Sequence, residues 1–170
     1  VASMAVILAG VYQDAYDDML DNKVPLAMMG GQYEYGFRDF QSENNYGGYG
    51  IMDVSFGVDG TDSMFNLIGY DEGCPLLTAE TISGASMEYG GFYMTSSAAR
   101  IFGVESGDEF TFYDLISMEH TTITISDIVE NDVLSLMITS KANVAQIIGR
   151  NAEGFNVIIS EGPLDIPPEL

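Results

Sequence analysis

The sequence predicts an α+β domain: a mixed, mostly antiparallel sheet packed against a long N-terminal helix and two short helices. Three observations lead there. Short alternating or apolar runs recur between glycine-rich and Asp-Gly turns, which is the pattern of strands. Two segments, FYMTSSAARIFG from Phe92 and LMITSKANVAQIIG from Leu136, share one plan: apolar strand, Thr-Ser cap, short helix, glycine stop. The first residues are apolar on nearly all sides and then become amphipathic at helical spacing.

Taken in order, residues 1–22 form the first unit. Met4 to Val11 is apolar, and Asp14, Asp17, Asp18 and Asp21 then fall on one arc opposite Tyr12, Ala15, Tyr16, Met19 and Leu20. The apolar run is too short to cross a bilayer alone, which takes about 20 residues. Two readings fit: a helix half buried on its own domain, or the outer end of a membrane helix. The acidic arc is not a calcium site, because ligands on one straight helix cannot wrap a cation.

Residues 23–165 form the main domain. Val24 to Met29, Gln32 to Phe40, Ile51 to Phe56 and Ser63 to Tyr70 are expected strands, and Pro75-Leu76-Leu77 suggests a helical turn. Tyr33, Tyr35 and Phe37 alternate with polar residues, and the loop SENNYGGYG adds Tyr46 and Tyr49. Such a stripe is ordinarily core, but these five are the candidate partner surface. Phe92 to Met94 reads as a strand, Thr95 or Ser96 as the cap of a helix through Ala98 to Ile101, and Gly103 as its stop. Glu105-Ser106-Gly107-Asp108 is a tight turn into strands at Glu109 to Tyr113 and Thr122 to Ser126. Phe110, Phe112, Ile123 and Ile125 can share one core, and Asp108 can bond the amides of its own turn. Leu134 to Thr139 is a strand, Ser140 caps a helix over Lys141 to Ile148 that Gly149 ends, and Phe155 to Ser160 is the last strand. Residues 166–170, with Pro167-Pro168, read as an exit from the domain.

Charge excludes some partners. Twenty-six Asp and Glu against five Lys and Arg give a formal net charge of -21, which repels nucleic acid and anionic headgroups. With 46% hydrophobic and 18% charged residues the chain is nonetheless globular. Cys74 is alone, so no internal disulfide and no cysteine-based zinc site can form. His120 is the one histidine, expected in a solvated loop, and no Gly-x-Ser-x-Gly elbow accompanies it. The glycines lack the Lys-Ser/Thr end of a phosphate-binding loop. No catalytic residue, metal ligand or cofactor is assigned.

The stretch from Tyr89 to Asn131, with MITSKANVAQIIG after it, resembles the extracytoplasmic, MacB-type periplasmic core domain of FtsX-like ABC transporter permeases. The matching positions are Ala98, Phe102-Gly103-Val104, Gly107-Asp108, Phe110-Thr111-Phe112 and Ile128-Val129-Glu130-Asn131, with NLIGYDEG upstream. The match spans roughly residues 64 to 160. The resemblance implies a non-catalytic domain of a permease subunit at the cell membrane, facing outward between two membrane helices. It favours the membrane-helix reading of residues 1–22 and makes that helix a natural lever. It also implies a separate cytoplasmic ATPase, a possible second permease copy, and an external substrate or partner such as a lipid, lipoprotein, peptide or cell-wall enzyme. The alternative is a soluble extracellular binding module.

Overall fold

The computed structural model describes residues 33–74, 81–132 and 134–170. The helix expected over residues 1–22, the strand expected at Val24 to Met29 and the turn at Pro75 to Leu77 lie outside the described residues. The helical cover that is described therefore consists of two short helices. No helix among the described residues is long and apolar enough to cross a membrane.

The elements run β1 (Tyr33–Gln41), β2 (Tyr49–Val58), β3 (Met64–Tyr70), β4 (Tyr93–Thr95), α1 (Ser96–Phe102), β5 (Glu109–Asp114), β6 (His120–Thr124), β7 (Asp127–Val129), β8 (Leu136–Ser140), α2 (Lys141–Ile148) and β9 (Phe155–Ser160). The strands join in the order β1-β9-β2-β3-β8-β4-β7, and the β5–β6 hairpin attaches to β2. Only β3 with β8 and β4 with β7 run parallel; the remaining neighbours are antiparallel. This is the mixed, mostly antiparallel sheet that the sequence predicts.

Both helices form where local chemistry dictates. Thr95 is extended at φ -66°, its Oγ1 accepts from the Ala98 amide at 3.4 Å, and Gly103 ends α1 at φ 68°. Ser140 and Gly149 repeat this for α2, with Ser140 Oγ accepting from Asn143 at 3.2 Å and Gly149 at φ 70°. In each case the first amide past the glycine returns to an alanine carbonyl of the last turn: Val104 to Ala99 at 3.0 Å and Arg150 to Ala145 at 2.9 Å. These bonds satisfy carbonyls that a helix end otherwise leaves open. Because β4 and β8 are antiparallel neighbours, the two strand-helix units leave the sheet from opposite ends.

The strand expected at Thr122 to Ser126 starts and stops two residues earlier, at His120 and Thr124. Ile125 instead exchanges backbone bonds with the Gly107-Asp108 turn, each 2.8 Å, and Ser126 turns to Phe92. The chain is there changing partner, from β5 to the neighbourhood of β4, and it becomes β7 one residue later. His120 is accordingly a strand residue opposite Tyr113, not a loop residue.

One sheet face carries the larger core. Met52, Phe56, Phe65 and Leu67 pack there against Phe110, Phe112 and Ile125 of the hairpin region and against Ala98, Ala99, Val144 and Ala145 of the helices. Gly69 lets α2 lie close, since a Cβ on it would sit 2.8 Å from Val144 Cγ2 and 3.0 Å from Lys141 Cα. Ile51, Ile68, Ile138, Val157 and Ile159 form a second core with Tyr70 and Tyr93.

β2 holds these parts together. Along one edge it pairs β3, while its opposite edge is shared: Tyr49 to Ile51 pair with β9, and Phe56 to Val58 pair with β5. Between them Asp53 would lack a ladder partner. The Asn156 side chain supplies one, its Oδ1 accepting from the Asp53 amide and its Nδ2 donating to the Asp53 carbonyl, both at 2.8 Å. A carboxamide thus stands in for a peptide group. Replacing Asn156 by Ala strands both partly buried backbone groups, and the expected cost is about 1–3 kcal/mol. Thermal and urea unfolding of the variant measure it, and an unchanged midpoint would show that water serves equally well.

Candidate functional site

The candidate aromatic surface is divided by the sheet. Tyr33 and Tyr35 stand opposite Ser160 and Ile158, whereas Tyr49 stands opposite Ile159, so Tyr49 projects from the other face. On the first face Phe37 is buried, edge-on to Phe155 at 5.5 Å and tilted against Tyr46 at 6.1 Å. Leu164, Ile166 and Leu170 pack over this group, the Tyr35 hydroxyl accepts from the Leu164 amide at 2.9 Å, and Arg38 donates to the Leu170 carbonyl at 2.8 Å. Tyr35, Phe37 and Tyr46 form a third small core with the tail. Tyr33 and Tyr49 stay exposed, on opposite faces.

A groove of about 640 Å³ lies between α1 and the segment Ile82-Ser83, floored by Ala99, Val104 and Ile128. Several of its polar groups are engaged by the chain itself. Ser83 donates to Asp127, Arg100 pairs with Asp132 at 2.5 Å, and Ser106 donates to the Ser126 carbonyl at 3.0 Å. Asp108 Oδ2 accepts from the Glu105 amide at 2.8 Å, as expected of the Gly107-Asp108 turn. Ile123 is half buried beside Phe110, Phe112 and Ile125, so the motif builds a core.

His120 Nε2 lies 3.3 Å from Asp59 Oδ1 with both side chains about half exposed, at 51% and 55%, a surface contact of little energetic weight. Its ring is 5.5 Å from Tyr113. Cys74 is a free, partly buried thiol against the second core. No group of three metal-ligating side chains occurs among the described residues.

Sequence reasoning overlooked two polar sites. Lys141 opens α2, where a cation opposes the helix dipole, yet its side chain is buried and is answered by Asp71 at 3.3 Å. Its signal was a rare basic residue directly after a cap. The other is acidic. Glu34 and Asp53 lie on one face of the sheet; burial pushes both carboxyls up from their ordinary range, each being costly to ionise away from water. Asp53 adds to the rise at Glu34, while a 2.8 Å bond from Asn66 Nδ2 draws Asp53 partly back. Tyr70 is pushed up to about 12 by burial, with Tyr93 and Tyr89 adding to the shift. Asp114 goes the other way, held below the ordinary range by the Ser117 and Ile116 amides.

No protein-family model matches the sequence, and no curated protein is a significant match to it. Solved structures do resemble the fold. One is the extracellular domain of the noncanonic ABC-type transporter YknZ from Gram-positive bacteria, 11% identical, with 80% of this chain and 70% of that one covered at a TM-score of 0.47. Another is a domain from Porphyromonas gingivalis assigned to a permease protein, 14% identical, covering 85% of this chain and 63% of that one at a TM-score of 0.42.

The raised carboxyl pKa of Asp53 carries a sign. A carboxyl raised on folding favours the folded state only where it is protonated, so stability falls as pH climbs from below the unfolded value through the raised one. Asp53→Asn keeps an acceptor for Asn66 and removes the charge. The expected outcome is a higher melting temperature at neutral pH and a gain that vanishes at acid pH. Melts across that range test it, and a gain independent of pH would assign the effect to something other than ionisation.

Proposed function

We propose that this chain is the extracytoplasmic domain of an ABC transporter permease subunit, non-catalytic itself, which couples ATP-driven movement of membrane helices to a substrate or partner outside the membrane. The observation that carries this reading is the run from Tyr89 to Asn131, whose resemblance to FtsX-like permease domains reaches from the capped helix to the Ile128-Val129-Glu130-Asn131 close. Each part of that run has a place in the fold. Thr95 caps α1, Gly103 ends it, Gly107-Asp108 shapes the turn into the hairpin, and Ile128-Val129 pairs alongside β4. Asn131 receives the Leu134 amide on its side chain at 3.0 Å and accepts from Ser97 on its carbonyl at 2.9 Å, tying the close of the motif to α1 and to the segment that leads into β8.

A coupling domain needs rigidity more than reactivity, and interlocked caps and strands provide it. In this reading residues 1–22 are the lever from the first membrane helix, and residues 166–170 lead toward the second. A cognate cytoplasmic ATPase drives the cycle, and a second permease copy completes the transporter.

Topology mapping of the full-length protein in its native host tests the reading. With Cys74→Ser as background and Asp62→Cys in the exposed β2–β3 turn, the protein should fractionate with membranes. A membrane-impermeant maleimide should label it in intact cells, and an ATP-binding protein should copurify after detergent extraction. Labelling only after lysis, or recovery free of the membrane, would overturn the proposal; release into the medium would instead support a soluble binding module.

A further inference from the structure

The β5–β6 hairpin ends in Leu115-Ile116-Ser117-Met118, and its apolar side chains stand in solvent: Ile116 is 95% exposed, Met118 56% and Leu115 42%. Scattered exposed apolar residues are ordinary; a cluster of three at one tip is not. The tip is also held still. Asp114 Oδ1 accepts from the Ile116 and Ser117 amides at 2.8 Å each, Met118 donates to the Asp114 carbonyl at 2.9 Å, and Asp114 donates to the Glu119 carbonyl at 3.0 Å. A group already fixed loses little freedom on binding.

Met118 adds a separate observation. Its φ of 61° is left-handed, and every other described residue with positive φ is a glycine. Glycine would occupy position 118 with less strain. The chain instead carries a long, polarizable side chain of the kind that adapts to an apolar surface. Strain retained at an exposed tip points to use of that side chain.

The chemistry around the tip selects the partner. A cleft of about 380 Å³ separates the hairpin from the C-terminal end of α2, with Ile116, Ile147 and Ile148 as apolar walls and Asp114 and Glu119 as carboxylates. No lysine or arginine lines it, and the last turn of α2 has no basic residue to answer the negative end of its dipole. Arg150, just beyond, is directed over the Phe40 ring at 4.4 Å. An apolar tip backed by negative charge, on a chain of formal charge -21, is repelled by an anionic lipid surface and complements a basic protein surface.

We infer that the β5–β6 hairpin tip docks a partner protein, Ile116 and Met118 entering an apolar pocket while a lysine or arginine beside that pocket lies in the cleft between the hairpin and α2. The inference takes from the proposed function only that the domain meets an external protein; it does not depend on attachment to a transporter.

The test uses the purified 170-residue chain with three probes: a synthetic amphipathic helix of leucine and lysine, the same peptide with glutamate for lysine, and phosphatidylglycerol–phosphatidylcholine vesicles. The lysine peptide should bind and shift the Ile116 and Met118 methyl resonances. Ile116→Ser and Met118→Gly should each weaken it about tenfold, the scale of losing one buried apolar side chain, whereas Met64→Ser, at another exposed apolar site, should not. Met118→Gly should also raise the melting temperature, separating loss of contact from loss of fold. Equal affinity across all variants would reduce the binding to diffuse charge attraction and overturn the site. Binding of the vesicles through Ile116 in place of the peptide would reassign the tip to lipid and overturn it too. Neither result bears on membrane topology, so this inference and the permease reading fail separately.

Discussion

The divided edge of β2 is the constraint on which the rest of the structure depends. A strand interior cannot leave amide and carbonyl groups unpaired without losing much of what folding gains. β2 spans two sub-assemblies, β9 with β1 and the tail on one side of the division, and the β5–β6 hairpin on the other. Asn156 bridges the gap at Asp53. Without such a bridge the hairpin and β9 would have to meet end to end on one strand, or β2 would have to bend away.

What was legible in the sequence was local. Caps and stops depend on residues three or four apart, so Thr95, Gly103, Ser140 and Gly149 announce themselves, and so does the Gly107-Asp108 turn. Strand existence was legible from alternation and apolar runs. Pairing was not. Nothing in Asp127-Ile128-Val129 states that it lies parallel to β4, and nothing in Ile125-Ser126 marks the change of partner. The Thr-Ile alternation starts only after His120, so the sequence pattern leaves that residue outside the strand; its ladder with Tyr113 comes from the hairpin register.

The candidate site shows the same division. Tyr33, Tyr35, Phe37, Tyr46 and Tyr49 are close in sequence, and period-two geometry separates Tyr49 from the others. The tail that covers Phe37 begins more than a hundred residues later, so no local pattern could reveal its burial. Lys141 and Asp71 are likewise far apart in sequence and joined only by the parallel pairing of β3 with β8. The hairpin tip is illegible in the sequence for another reason. Leu-Ile-Ser-Met has no special composition, and its meaning lies in the 95% exposure of Ile116, a quantity the sequence does not carry.

The α1 region and the β5–β6 tip are both held by hydrogen bonds, but they differ in what they expose. Around α1 several polar groups find partners within the chain: Thr95 Oγ1 donates to the Leu134 carbonyl at 2.5 Å and accepts from the Leu136 amide at 3.2 Å, fixing β4 and α1 to β8. At the β5–β6 tip the backbone is equally fixed, but the side chains it presents are unsatisfied by anything in the fold. The tip is joined to β2 by paired strands. The tip therefore combines a backbone fixed by its own hydrogen bonds with apolar side chains that the fold leaves in solvent.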